Sequence, residues 1–191
     1  MNDRIRNFFR RIQAVGMERN PGSKWNLENE RRLEEFALGH WDSSLGPEHG
    51  PGHWRRVARF GEAFWMHMRV DPDVIQAFAY LHDIERRDNL VDIDHGLRAC
   101  WLIDLIRDTV LWHLGPRQIH LLKKACRLHS GGGRTGIPTI DACFDADRLD
   151  LPRSGTAVDP RRLATHLGRD ISVSKWYRDI MEEEGFHIEK Q

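Results

Sequence analysis

The 191-residue chain carries 29 Lys+Arg against 29 Asp+Glu, so its formal net charge is zero and no global basic field marks nucleic acid as a stable partner. That length buries a core without covalent staples. The cysteines Cys100, Cys126 and Cys143 form no CxxC, and each sits in an apolar-periodic stretch, as buried reduced thiols of a cytoplasmic protein do. No window approaches 18 apolar residues, which excludes a transmembrane segment, and the first twenty residues lack the apolar run of a secretion signal.

In chain order, Arg4, Arg6, Arg10, Arg11 and Arg19 accompany Ile5, Phe8, Phe9, Ile12 and Val15, an amphipathic stripe expected to pack on its own domain rather than on a membrane. Gly50-Pro51 starts a helix with Trp54, Val57, Gly61, Phe64 and Met68 on one side. Asp71-Pro72-Asp73 supplies an N-cap, a proline at the first helical position and an acid in the first turn, before Val74, Phe78 and Leu81 at helical spacing. Residues 97–110 read as amphipathic helix. Gly115-Pro116 begins another, with Ile119, Leu122, Ala125 and Cys126. Asp159-Pro160 repeats the start signal before Leu163, and 173–181 reads as a final amphipathic helix. Trp54, Trp65, Trp101 and Trp112 fall at helical spacing and are expected in the core.

Strand patterns are almost absent. The glycine-rich loop 130–136 therefore follows no strand and is not a dinucleotide or Walker fingerprint; it and the loop 151–158 suit the margin of a site. The expectation is an all-α protein, a single compact helical bundle. Residues 1–47 form an N-terminal helical extension packing on it, 48–151 the core with the site, and 152–191 the C-terminal helices.

The chemistry concentrates in a few side chains. His82 continues the stripe of Val74 and Phe78 and so points inward at the end of its helix, with Asp83 adjacent. His53 lies in the first turn of its helix. Ile140, Cys143 and Asp147 share one face, whereas Asp145 is rotated about 200° from Asp147 and faces away. Unpaired carboxylates on apolar faces cost several kcal/mol unless a cation compensates them. Two imidazoles and two carboxylates from separate segments suit a first-row divalent metal.

The ordered set His53 in HWRRV, His82-Asp83 in FAYLHDIERR and Asp147 in DADRLDL resembles the HD superfamily of metal-dependent phosphohydrolases. His95-Gly96 in DHGLRAC and His129-Ser130 in RLHS resemble later elements of a bacterial subgroup, and the similarity runs over 48–151. The resemblance implies an HD-domain-like helical fold with His53, His82, Asp83 and Asp147 as metal ligands. By the same resemblance His95 and His129 hold a second metal or a substrate phosphate, against the competing reading of hydrogen-bonded core histidines. Pro152-Arg153-Ser154-Gly155 departs from the more apolar subgroup pattern, which bears on the substrate side.

Asp83 and Glu85 are candidates for proton transfer or for orienting water, with a surface ion pair the rival role for Glu85. Arg56 and Arg86 are candidate phosphate clamps, against ordinary surface placement. His49 is a candidate for the mouth of the site. His40, His67, His113, His120, His166 and His187 have no partner visible in sequence. The expected function is water activation by Mn, Fe, Co, Ni or Zn, with Mg as a further candidate, against a small phosphorylated substrate, a nucleotide foremost. A homo-oligomer stays open. Two alternatives stand beside this: a di-iron oxygenase similar to myo-inositol oxygenase, which the short gap from Asp83 to His95 disfavours, and a non-catalytic ligand sensor.

Overall fold

Helix starts in this protein are set by proline and by side-chain caps. The computed structural model describes residues 23–24, 26–89 and 91–186. Helix α1 (Leu27–His40) begins where the Asn26 side chain accepts the Asn29 N–H, and α2 (Pro51–His67) has proline in its first turn. At α3 (Pro72–Leu81) the Asp71 carboxylate accepts the N–H groups of Asp73 and Val74. Helices α4 (His95–Ile106), α5 (Pro116–Leu128) and α6 (Pro138–Arg148) follow. The side chains of Thr165 and Ser174 cap α7 (His166–Ser172) and α8 (Lys175–Glu183). Short 3₁₀ turns occupy Ser43–Leu45, His129–Gly131, Leu151–Ser154 and Pro160–Arg162. All regular structure among the described residues is helical, and the helices pack into one compact bundle.

Helix α3 is the axis. Every residue of it is buried, as an all-round apolar helix demands, and α1, α2, α5 and α6 surround it. Leu33 and Ala37 bury the face of α1. Helix α4 lies against α5 so closely that a Cβ on Gly96 would sit 2.2 Å from the Cys126 carbonyl oxygen. At the C-terminal end, Phe60 of α2 meets Tyr177, whose hydroxyl donates to the Leu149 carbonyl at 2.8 Å. This arrangement brings the C-terminal end of α3 to the first turns of α2 and α4 and the last turns of α5 and α6.

Several sequence expectations need correction. The Asp159-Pro160 signal makes only the 3₁₀ turn Pro160–Arg162; the helix waits for the Thr165 cap. The final helix expected over 173–181 is α8, which starts at Lys175 because Val173 closes α7 and Ser174 caps the new start, and it runs to Glu183. Helix α4 begins two residues before 97 and ends at Ile106. Trp54 and Trp65 are core residues, but Trp101 and Trp112 are 60% and 56% exposed. The three cysteines are buried and free. No described helix is long and apolar enough to cross a membrane. The N-terminal arginine stripe and His187 lie outside the described residues.

Candidate metal centre

Four histidines arrive at one place, each with its ring fixed through Nδ1. In the first turn of α2, His53 Nδ1 donates to Asp150 Oδ2 at 2.7 Å. His82, just past α3, donates from Nδ1 to the Phe78 carbonyl at 3.0 Å and stacks on the Phe78 ring with centroids 4.6 Å apart. His95, the first residue of α4, donates from Nδ1 to the Asp92 carbonyl. His129, at the end of α5, donates from Nδ1 to the Cys126 carbonyl at 2.7 Å. A carbonyl or carboxylate oxygen only accepts, so a proton sits on Nδ1 and the Nε2 of each ring is left to face the centre, as a lone pair in the neutral tautomer.

Those Nε2 atoms converge. The Nε2 atoms of His53 and His82 are 3.0 Å apart; they lie 3.7 and 3.5 Å from Asp83 Oδ2 and 3.5 and 3.6 Å from Asp147 Oδ1. The Nε2 atoms of His95 and His129 are also 3.0 Å apart, at 3.1 and 3.3 Å from Asp83 Oδ1. Asp83 thus turns one carboxylate oxygen to each histidine pair. All four rings are buried, and imidazole nitrogens gathered around two ionised carboxylates need positive charge, from ring protons or from a cation. These groups can hold a metal ion.

The electrostatics couple the carboxylates to the imidazoles. Burial would raise the Asp83 and Asp147 carboxyls, but His82 and the other surrounding donors outweigh it and hold both well below the usual carboxylate range. Burial favours neutral His82, yet Asp83 and Asp147 outweigh that and raise its pKa. His53, desolvated and facing Arg153, is pushed down to about 4.

Around this centre stand groups that sequence reasoning weighed differently. His49 is more than a mouth residue: its Nδ1 lies 2.7 Å from Asp83 Oδ2, and its side chain is 16% exposed. Arg86 reaches to 3.5 Å from Asp83 Oδ1. Arg56 is not free to clamp phosphate. Its guanidinium is tied to Asp150 at 2.6 and 3.1 Å and to Glu184 at 3.1 Å. The Glu85 carboxylate turns to His40 at 2.6 Å, which supplies a partner for a histidine that had none in sequence.

Asp150, Arg153 and Ser130 were not singled out as site residues. Asp150 is fully buried and joins His53 to Arg56. Its signal was its place three residues after Asp147, on the same helical repeat. Arg153, in the 3₁₀ turn after α6, donates to the Glu48 carbonyl at 2.7 Å and approaches Asp147 Oδ1 to 3.9 Å. Ser130 Oγ lies 3.3 Å from both His95 and His129 Nε2.

Asp145 does face away from the cluster, as its rotation from Asp147 requires, but toward protein rather than solvent. It accepts the Ala164 and Thr165 N–H groups at 2.7 and 2.8 Å and the Thr165 hydroxyl at 2.7 Å, anchoring the start of α7. The short gap from Asp83 to His95 is no obstacle to a six-residue cluster, because the turn after Asp83 brings the start of α4 back onto it. Comparison of the chain with family models, curated proteins and solved structures finds no match.

Proposed function

We propose that this chain is a metal-dependent phosphohydrolase of the HD kind, acting on a small phosphorylated metabolite, with nucleotides the first class to test. The observation that carries this reading is the convergence of four histidine Nε2 atoms on Asp83 and Asp147 in the interior. His53, His82, Asp83 and Asp147 would hold one ion, and Asp83, His95 and His129 a second. The mixed nitrogen and oxygen donors favour Mn, Fe, Co, Ni or Zn over Mg. When bound, the metal supplies a water acidic enough to attack at neutral pH and positive charge for the phosphoryl oxygens.

The chain's own residues do the rest. Asp83 presents one oxygen to each histidine pair, which fits a bridging carboxylate. His49, hydrogen-bonded to Asp83 and partly exposed, can hold a proton at the entrance. Arg86 and Arg153 flank the centre on two sides with charge to offset a phosphate. Arg56 acts at one remove, fixing Asp150 and through it the His53 ring. Glu85, bonded to His40, has no part in this scheme.

The test is phosphate release from a panel of phosphomonoesters, nucleotides, cyclic diesters and pyrophosphates with each divalent ion. The expected result is turnover of at least one class, lowered by at least about 10³-fold in Asp83→Ala. Turnover that survives Asp83→Ala would remove the proposal. The bridging position of Asp83 also fits a di-iron oxygenase, and dioxygen consumption by iron-loaded protein without phosphate release would favour that reading. Phosphoester binding without either reaction would favour a sensor.

A further inference from the structure

A second concentration of charge involves none of the histidines: the end of α6, the glycine-rich loop, the turn Pro160–Arg162 and α7 line an open cavity of about 410 Å³. Five arginines line it: Arg134, Arg148, Arg161, Arg162 and Arg169. Two are held in place by backbone carbonyls, which carry no net charge. Arg148, its side chain 11% exposed, donates to the Arg162 and Gly133 carbonyls at 3.1 and 3.4 Å and lies over the Phe144 ring at 5.4 Å. Arg169 donates to the Leu163 carbonyl at 2.7 Å.

The nearby carboxylates offset this set only in part. Asp145 lies 3.8 Å from Arg148 and also accepts three hydrogen bonds at the start of α7. Asp141 lies 3.8 Å from Arg134 and also accepts from Thr135 and Gly136. Asp159 pairs with Arg161 and feels the charge of Arg162, so three carboxylates face five guanidinium groups. Among the described residues no carboxylate is within ion-pair distance of Arg162 or Arg169. In a chain with no net charge, five guanidinium groups around one concavity need an explanation.

We propose that this cavity binds the polyphosphate group of a small molecule such as a nucleoside di- or triphosphate, at a site separate from the metal centre. A guanidinium pairs with phosphate oxygens through two parallel hydrogen bonds, and arginines arrayed across a cavity suit two or three linked phosphates better than one. The concave shape and the ring-stacked, largely covered Arg148 favour a small ligand over the extended backbone of a nucleic acid. Because the inference rests on the arginines alone, it stands or falls independently of the metal reading.

The experiment is calorimetric titration with inorganic tripolyphosphate of the wild type, of Arg162→Glu, Arg162→Lys and Arg169→Gln, and of Asp83→Ala. Arg162 is exposed, so its variants leave the core untouched. We expect saturable binding in the wild type and in Asp83→Ala. It should weaken by at least about tenfold in Arg162→Glu and Arg169→Gln and less in Arg162→Lys, and inorganic phosphate should bind far more weakly. Absence of saturable binding would overturn the proposal. So would binding that is lost in Asp83→Ala but kept in Arg162→Glu, which would assign the anion to the metal centre. An RNA oligonucleotide that binds more tightly than tripolyphosphate with the same arginine dependence would replace it with a nucleic-acid surface.

Discussion

Asp150 joins two side chains: it accepts the His53 Nδ1–H and is the buried counter-charge of Arg56, whose other partner Glu184 is half exposed. Removing one partner of such a buried pair leaves an uncompensated charge. Asp150→Ala should therefore lose about 3 kcal/mol in urea unfolding and weaken metal affinity by about 10–100-fold, because the His53 tautomer is no longer fixed. A loss within about 0.5 kcal/mol would show that Glu184, already 3.1 Å from Arg56, compensates it alone. Glu62 makes the opposite case. Only 7% exposed and close to Glu30, its carboxyl is pushed up by burial to about 8. The folded state then holds a proton that the unfolded chain has released between pH 4.5 and about 8, so stability falls as pH rises through that window. Glu62→Gln should gain roughly 1–3 kcal/mol over wild type at pH 9 and almost nothing at pH 5. Parallel pH profiles would contradict this. At this scale His53, His82, Asp83 and Asp147 were legible because each continues an apolar stripe or adjoins one that does. Arg153 was not, since it lies in a 3₁₀ turn where no periodicity points a side chain.

Helices were legible wherever the start signal was local. Gly50-Pro51, Asp71-Pro72 and Gly115-Pro116 each open the expected element, because proline's fixed φ and an N-cap act within one turn. The same dipeptide logic failed at Asp159-Pro160, where the Thr165 cap and its bond to the buried Asp145 decide the start instead. That contact spans 20 residues and leaves no periodic trace in sequence. Trp101 and Trp112 were misread because helical spacing cannot say whether a neighbour covers the face. The packing of α4 on α5 carries the next prediction. Gly96→Ala would drive a Cβ into the Cys126 backbone, which cannot yield as a side chain can. It should cost about 2 kcal/mol or more in thermal melts and separate His95 from His129. Gly39→Ala, with open space around the added carbon, should cost nothing and serves as the control. Equal melts for the two variants would contradict the close approach.

Across the molecule, five helix ends meet at one buried point, and what they bring is four imidazoles and two carboxylates. Packing alone would not assemble such a set, since burying ionised carboxylates opposes folding unless positive charge compensates them. The folded state should therefore bind a divalent ion that the unfolded chain binds poorly. A free ion at 100 times its dissociation constant would add about 2.7 kcal/mol to stability. The most direct test is elemental analysis of the purified chain beside its Asp83→Ala variant. The wild type should carry roughly one to two first-row ions per chain and the variant almost none. Equal trace metal in both would mean that the histidines and aspartates meet without an ion.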